Sequence, residues 1–153
     1  MKRETVVLGL GNPLMSDEGV GVRVLERLSA LAERYPLVEF VDAGTGGMSL
    51  LHLLEGRGKA VIIDCARMGI EPGRIRRFTA EQARSVKRQA HMSLHEADIL
   101  NIIDLSRELD QCPDEIVIFG IQPKSIRPGQ ELSRELADRM DDYIDSVCEE
   151  LDG

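Results

Sequence analysis

The stretch Gly9-Leu10-Gly11-Asn12-Pro13-Leu14-Met15-Ser16-Asp17-Glu18-Gly19-Val20-Gly21 constrains this chain more than any other. An apolar, β-branched run, Thr5-Val6-Val7-Leu8, leads into it. Beyond it, Val20, Val24, Leu25, Leu28, Leu31 and Ala32 recur at helical spacing, which predicts a helix from Glu18 to about Arg34 with Ser16 or Asp17 as its cap. Strand, glycine loop, helix is the local unit. Such a loop can cradle a phosphate, or it can present Asp17 and Glu18 at the edge of a sheet.

The remaining pattern places this unit in a larger sheet. Residues 38–42 and 59–64 read as further strands, the second wholly apolar until Asp64. Met48 to Glu55 is a short leucine-rich helix between them, reached through the turn Gly44-Thr45-Gly46-Gly47. Arg74 to Thr79 alternates, as an edge strand does, and Glu115 to Gly120 is a fifth strand. Residues 80–91 are polar and basic and fit a loop or a short helix. Ser93 to about Leu109 carries a helical stripe, and a final helix capped by Ser133 carries Leu136, Met140, Ile144, Val147 and Leu151. The order βαβαββαβα implies an α/β fold: a three-layer α/β/α arrangement around a mostly parallel, five-stranded twisted sheet. With no repeat or linker, the 153 residues are expected to form a single domain.

In open sheets of this kind ligands bind outside the carboxyl ends of the strands. Strands one, two and three end near Asp17 and Glu18, in Asp42 and in Asp64, so acids from separate segments collect on one rim. Any one of them can equally be a helix cap. Asp64 has no helix starting at once and is the hardest to explain that way. Of the three histidines, His52 sits within a leucine-rich helix and reads as a surface or structural residue. His91 and His95 are four apart, but Ser93-Leu94-His95-Glu96 matches a capping box, which leaves His91 outside the helix. His95 then lies in the first turn, where the positive end of the dipole favours neutral imidazole, the form a metal ligand or general base needs. Two carboxylates and an imidazole suit a divalent transition metal such as zinc or nickel; the same residues could also run metal-free acid–base chemistry.

Other readings of the loop fare worse. A dinucleotide fingerprint needs a third glycine where Leu14 stands, and no Gly-Lys-Ser/Thr follows for a Walker loop. No nucleophile elbow is present. Cys65, Cys112 and Cys148 are odd in number and widely spaced, which fits a reducing cytosol and argues against a thiolate zinc site. A net charge of −8 argues against nucleic acid or anionic lipid as partner. No apolar run reaches the ~20 residues of a membrane span, and no signal peptide is expected from the Met-Lys-Arg-Glu start.

Taken together, the motifs resemble the hydrogenase maturation proteases. The likeness rests on Gly9-Leu10-Gly11-Asn12 with Leu14, Asp17, Glu18, Gly19 and Gly21; on Asp42-Ala43-Gly44-Thr45-Gly46-Gly47; on Ile63-Asp64-Cys65-Ala66 with Met68-Gly69 and Pro72-Gly73; on Ser93-Leu94-His95-Glu96; and on Gly120-Ile121-Gln122-Pro123. The resemblance implies a cytoplasmic endopeptidase that trims a C-terminal extension from the large-subunit precursor of a nickel–iron hydrogenase after nickel insertion. It further implies that Glu18, Asp64 and His95 contact metal, with Asp17 beside them orienting substrate or water. The metal would be nickel supplied by the substrate, with zinc or cadmium as other divalent occupants. Cys65 stands where this family more often has alanine. Two other readings remain: a non-catalytic metal-sensing chaperone for the same precursor, and a peptidyl-tRNA-hydrolase-like esterase, which shares the Gly-Leu-Gly-Asn-Pro opening but expects a basic groove.

Overall fold

A computed structural model of the chain describes residues 2–90 and 97–153. Five strands, β1 (Thr5–Gly9), β2 (Val38–Asp42), β3 (Lys59–Cys65), β4 (Ile75–Thr79) and β5 (Glu115–Ile121), form one sheet in the order β2-β1-β3-β5-β4. The first four in that order run parallel, and β4 closes the edge antiparallel to β5. The central strands are apolar on both faces because both faces are covered. Val6, Leu8, Ala60, Ile62, Ile116 and Ile118 point to one side, where they meet α2 (Ser49–Leu54), α3 (Ala80–Ala90) and α4 (Ala97–Glu108). Val7, Val61, Ile63, Val117 and Phe119 point to the other, against α1 (Val20–Ser29) and α6 (Met140–Asp152). The expected three-layer, mostly parallel arrangement is therefore present. No helix among the described residues is long and apolar enough to cross a membrane.

Several boundaries differ from the sequence expectation. The first helix does not run from Glu18 to Arg34: residues Ser16–Gly19 form a 3-10 turn, α1 ends at Ser29, and Ala32–Arg34 make a second 3-10 turn. The Leu31 N–H donates to the Leu28 carbonyl (2.8 Å) and that of Arg34 to Leu31 (2.9 Å), tightening the chain so that Tyr35 is buried before β2 begins. The last helix is likewise divided. A single turn, α5 (Arg134–Ala137), buries Leu136, and the chain re-aims at Asp138 and Arg139 so that α6 buries Tyr143 and Val147. The Tyr143 hydroxyl donates to the Gly73 carbonyl (2.5 Å), which ties α6 to the loop before β4. Residues 80–90 are a full helix. The Gln82 N–H donates to Thr79 Oγ1 (3.1 Å), and the Thr79 N–H donates to Gln82 Oε1 (2.9 Å), a reciprocal cap.

The N-terminus of α1 lies directly on the strand ends. A Cβ at Gly21 would collide with the carbonyl oxygens of Ile63 and Leu10, so only hydrogen allows this approach. Helix propensity alone would favour Gly21→Ala by about 1 kcal/mol. Here the substitution is expected to destabilise by about 3 kcal/mol or more, read as a lowered midpoint in urea unfolding. A gain in stability would show that the helix can lift away from β3 at no cost.

At the opposite edge, Glu150 ties α6 to the sheet. Its carboxylate accepts from Arg77 Nε (2.5 Å) and from Lys59 Nζ (2.7 Å), and Lys59 also pairs with Glu115 (2.9 Å). The Arg77 hydrogen bond above all, then Lys59, draws the Glu150 carboxyl down to about 2 from an ordinary 4.5. A depressed carboxyl stabilises fully above its unfolded value and loses that contribution as pH falls towards the folded value. Glu150→Gln is therefore expected to cost about 1–2 kcal/mol at pH 7. The gap from the parent chain should close between about pH 5 and pH 2, measured by urea unfolding across that range.

Candidate functional site

The order β2-β1-β3 means that the chain leaves β1 to one side and returns on the other, so the carboxyl ends of β1 and β3 form the switch point of the sheet. Gly9 lies opposite Ile63, and the Leu10 N–H donates to the Ile63 carbonyl (2.9 Å). The following loop is stitched to the one after β2: Gly11 N–H donates to the Gly44 carbonyl (2.7 Å), and Ala43 N–H to that of Gly9 (2.9 Å). Asn12 then turns the chain by accepting the Leu14 N–H on Oδ1 (2.9 Å).

Ser16 adopts a left-handed conformation (φ 49°), which costs a non-glycine residue about 1 kcal/mol. Its contacts offset that cost. The backbone N–H donates to Gly129 (2.7 Å), the hydroxyl donates to the Ser125 carbonyl (3.0 Å), and it accepts the Arg127 N–H (3.1 Å). The sharp turn and the 3-10 geometry after it give the two neighbouring acids different surroundings.

Asp17 is fully buried. Its Oδ2 accepts the N–H groups of Lys124 (2.9 Å) and Ser125 (3.0 Å), and its Oδ1 accepts that of Ser133 (2.7 Å). The carboxylate therefore holds the loop after β5 and the start of α5. Neither Ser16 nor Asp17 caps α1, as the sequence suggested, because both side chains are committed to residues 124–133. All three of these contacts to Asp17 come from backbone N–H groups.

Glu18 is half-buried at the switch point, and its Oε1 accepts the Asn12 N–H (3.1 Å). Asp64 is fully buried near the end of β3, in register with Gly120 of β5, with Oδ1 accepting the Cys65 N–H (2.8 Å). Strand alternation puts Asp64 on the side of Ala60, Ile62 and Ala66, the face covered by α2, α3 and α4. The thiol of Cys65 lies in the field of these acids. Burial foremost, then the charges of Asp64, Glu18 and Asp17, push it far above the ordinary thiol range, with Arg67 offsetting a little. Cys65 is a buried neutral thiol, as its place at the end of an apolar strand implies.

His91 and His95 lie outside the described residues, as does the Ser93 capping box. Among the described residues no group of three or more His, Cys, Asp and Glu side chains is gathered to hold a metal ion. Glu18 and Asp64 are the described carboxylates that the sequence predicted as ligands, and hard oxygen donors of this kind suit a divalent cation. Asp42 and His52 are exposed; Asp42 Oδ1 accepts the Gly44 N–H (2.8 Å) and turns the chain after β2.

Gln122 has a role that sequence reading left unassigned. Its side-chain oxygen accepts the Met68 N–H (2.6 Å), while its backbone exchanges hydrogen bonds with Arg74 (2.9 Å) and Gly73 (2.8 Å). It thereby fixes the loop that carries the chain away from Asp64. The signal was its place directly after a buried strand, in Gly120-Ile121-Gln122-Pro123. A cavity of about 380 Å³ between β4 and α6, lined by Ile75, Arg77, Phe119, Ser146, Glu149 and Glu150, involves none of these groups.

Comparison with known proteins bears on family and fold. The family model of the hydrogenase maturation proteases (HycI) matches residues 22–150. The hydrogenase expression/formation protein HupD of Bradyrhizobium diazoefficiens is 32% identical over 150 residues, covering 95% of this chain and 77% of that protein. The hydrogenase 2 maturation protease of Escherichia coli is 32% identical over 127 residues, covering 80% of this chain and 75% of its own. The solved structure of the hydrogenase maturating endopeptidase HybD from Escherichia coli superposes with a TM-score of 0.84 at 26% identity, covering 99% of this chain and 92% of that one. With sequence and fold in agreement, the chain belongs to the hydrogenase maturation protease family, a family of peptidases.

Proposed function

We propose that this chain is a cytoplasmic endopeptidase that removes a C-terminal extension from the nickel-loaded large-subunit precursor of a nickel–iron hydrogenase. The observation that carries the reading is that the loop after β1 carries Glu18 and the end of the adjacent parallel strand β3 carries Asp64, both at the switch point of the sheet, in a chain of this family. Nickel enters as part of the substrate, and Glu18, Asp64 and His95 are the residues that engage it. Other divalent ions, zinc or cadmium, suit the same donors. Nickel held there supplies a Lewis acid for the scissile carbonyl or an attacking water. The chain's own residues do the positioning. Asn12 orients the Glu18 carboxylate through its N–H, and Cys65 N–H does the same for Asp64. Asp17 holds the 124–133 segment against the site.

Purified protein incubated with nickel-loaded and nickel-free precursor, read by mass, tests this reading: cleavage is expected only with nickel. Glu18→Gln, Asp64→Asn and His95→Ala should each lower the cleavage rate by about 100-fold. A variant that keeps more than a tenth of the parent rate removes that residue from the site. Binding of precursor without any cut favours the chaperone reading.

Asp17→Asn should behave differently from Glu18→Gln. It turns an amide N–H₂ towards buried backbone donors, so it is expected to cost about 2–3 kcal/mol of stability, whereas Glu18→Gln costs under about 1 kcal/mol. Urea unfolding of the two variants checks the contrast, and equal midpoints would overturn the structural role of Asp17.

A further inference from the structure

The loops flanking Glu18 each lift a large apolar side chain into solvent. Leu14, between β1 and the 3-10 turn, is 59% exposed, and Met48, just before α2, is 60% exposed. Single exposed apolar residues are ordinary. These two share the rim that carries the switch-point carboxylates, and the backbone around them is pinned. Leu14 N–H donates to Asn12 Oδ1 (2.9 Å), and its carbonyl accepts the Gly129 N–H (2.9 Å). Asn12 is the same residue whose N–H holds Glu18 (3.1 Å). The Gly11 N–H to Gly44 carbonyl bond (2.7 Å) joins the Leu14 loop to the Met48 loop. Beside Met48, no atom of the described residues lies within 4 Å of where a Cβ would stand on Gly44 or Gly47.

Charge points the same way. Residues 10–15 and 43–48 contain no Asp, Glu, Lys or Arg, in a chain that is 30% charged. Two loops without charge, each carrying an exposed apolar side chain, suit an apolar polypeptide at that part of the rim rather than an acidic or basic one. An extended chain sends alternate side chains to opposite faces. One such strand can rest apolar side chains on Leu14 and Met48 while its backbone passes Glu18. The remaining large apolar side chains exposed among the described residues, Leu37 and Leu109, lie towards the amino ends of the strands, before β2 and between α4 and β5.

We infer that Leu14 and Met48 form a docking ledge for the extended, apolar stretch of the precursor next to the scissile bond, and so help to decide which precursor is accepted. The inference rests on the protease reading above and assigns the surface by which that substrate is held.

Leu14→Ser and Met48→Ser test it, with Leu37→Ser and Leu109→Ser as matched controls. Burial of one such side chain corresponds to roughly a tenfold change in affinity, so each rim variant should raise KM for nickel-loaded precursor by about tenfold with kcat within about threefold. Both controls should stay within about twofold of the parent in KM, and all four variants should melt within about 2 °C of it. A KM within twofold of the parent for either rim variant, or an equal rise in the controls, overturns the ledge. Precursor binding titrated on the slowly cleaving Glu18→Gln background, against Glu18→Gln alone, gives a second readout with the same thresholds. If the parent binds precursor without cutting it, the protease reading fails while the binding ratios still decide the ledge. If the parent neither binds nor cuts, both fail.

Discussion

The structure depends on a contact between backbones. Helix α1 starts so close to the ends of β1 and β3 that the carbonyl oxygens of Ile63 and Leu10 occupy the space a Cβ would need at Gly21. Gly11 faces the Glu18 carbonyl with the same lack of room. A helix held at ordinary side-chain distance would carry the Ser16–Gly19 turn away from the sheet, and Glu18 with it. Close packing here fixes position: the interior is dense enough that a shift of one element is transmitted to its neighbours. The glycines of the opening motif therefore set where Glu18 stands, through close approach of backbone to backbone.

The next constraint is the order of the strands. Because β1 lies between β2 and β3, the loops after β1 and β2 are neighbours, and Asp64 at the end of β3 comes up beside them. The register of β3 with β5 sets Asp64 opposite Gly120, and Gln122, just past the end of β5, clamps the loop beyond Asp64. Asp64 thus sits on a fixed strand and Glu18 on a turn pinned to the loop after β1, and each has its own backbone donor. Both are placed before any ligand arrives, so little ordering is needed on binding.

Much of this was legible in the sequence. Uninterrupted apolar runs at 5–8, 60–63 and 116–119 identify strands buried on both faces, and the alternation of residues 75–79 identifies the edge. The α3 helix was also legible, since Thr79-Ala80-Glu81-Gln82 is a capping box as plain as the one at Ser93; the basic surface of the segment obscured it. The breaks in the first and last helical segments were not legible. Their apolar stripes continue across both breaks, and only the need to bury Tyr35, Leu136 and Tyr143 at particular places makes the chain turn. Periodicity records which face is apolar and leaves open where a neighbouring element forces the chain to re-aim.

The hardest residues to separate from sequence are Asp17 and Glu18, two acids side by side in one motif. What divides them is 107 or more residues away in the chain: the N–H groups of Lys124, Ser125 and Ser133 claim Asp17. A buried carboxylate is costly unless hydrogen-bonded, and three backbone donors meet that cost. Once Asp17 is committed inward, the short 3-10 turn aims the next side chain differently, and Glu18 is left half-buried at the switch point. The pairing of two acids therefore serves two ends at once. The first closes the fold over the site, and by doing so it gives the second its orientation. A motif of this kind gives both residues the same prominence in sequence, so the division of labour between them has to come from long-range hydrogen bonds that no local pattern contains.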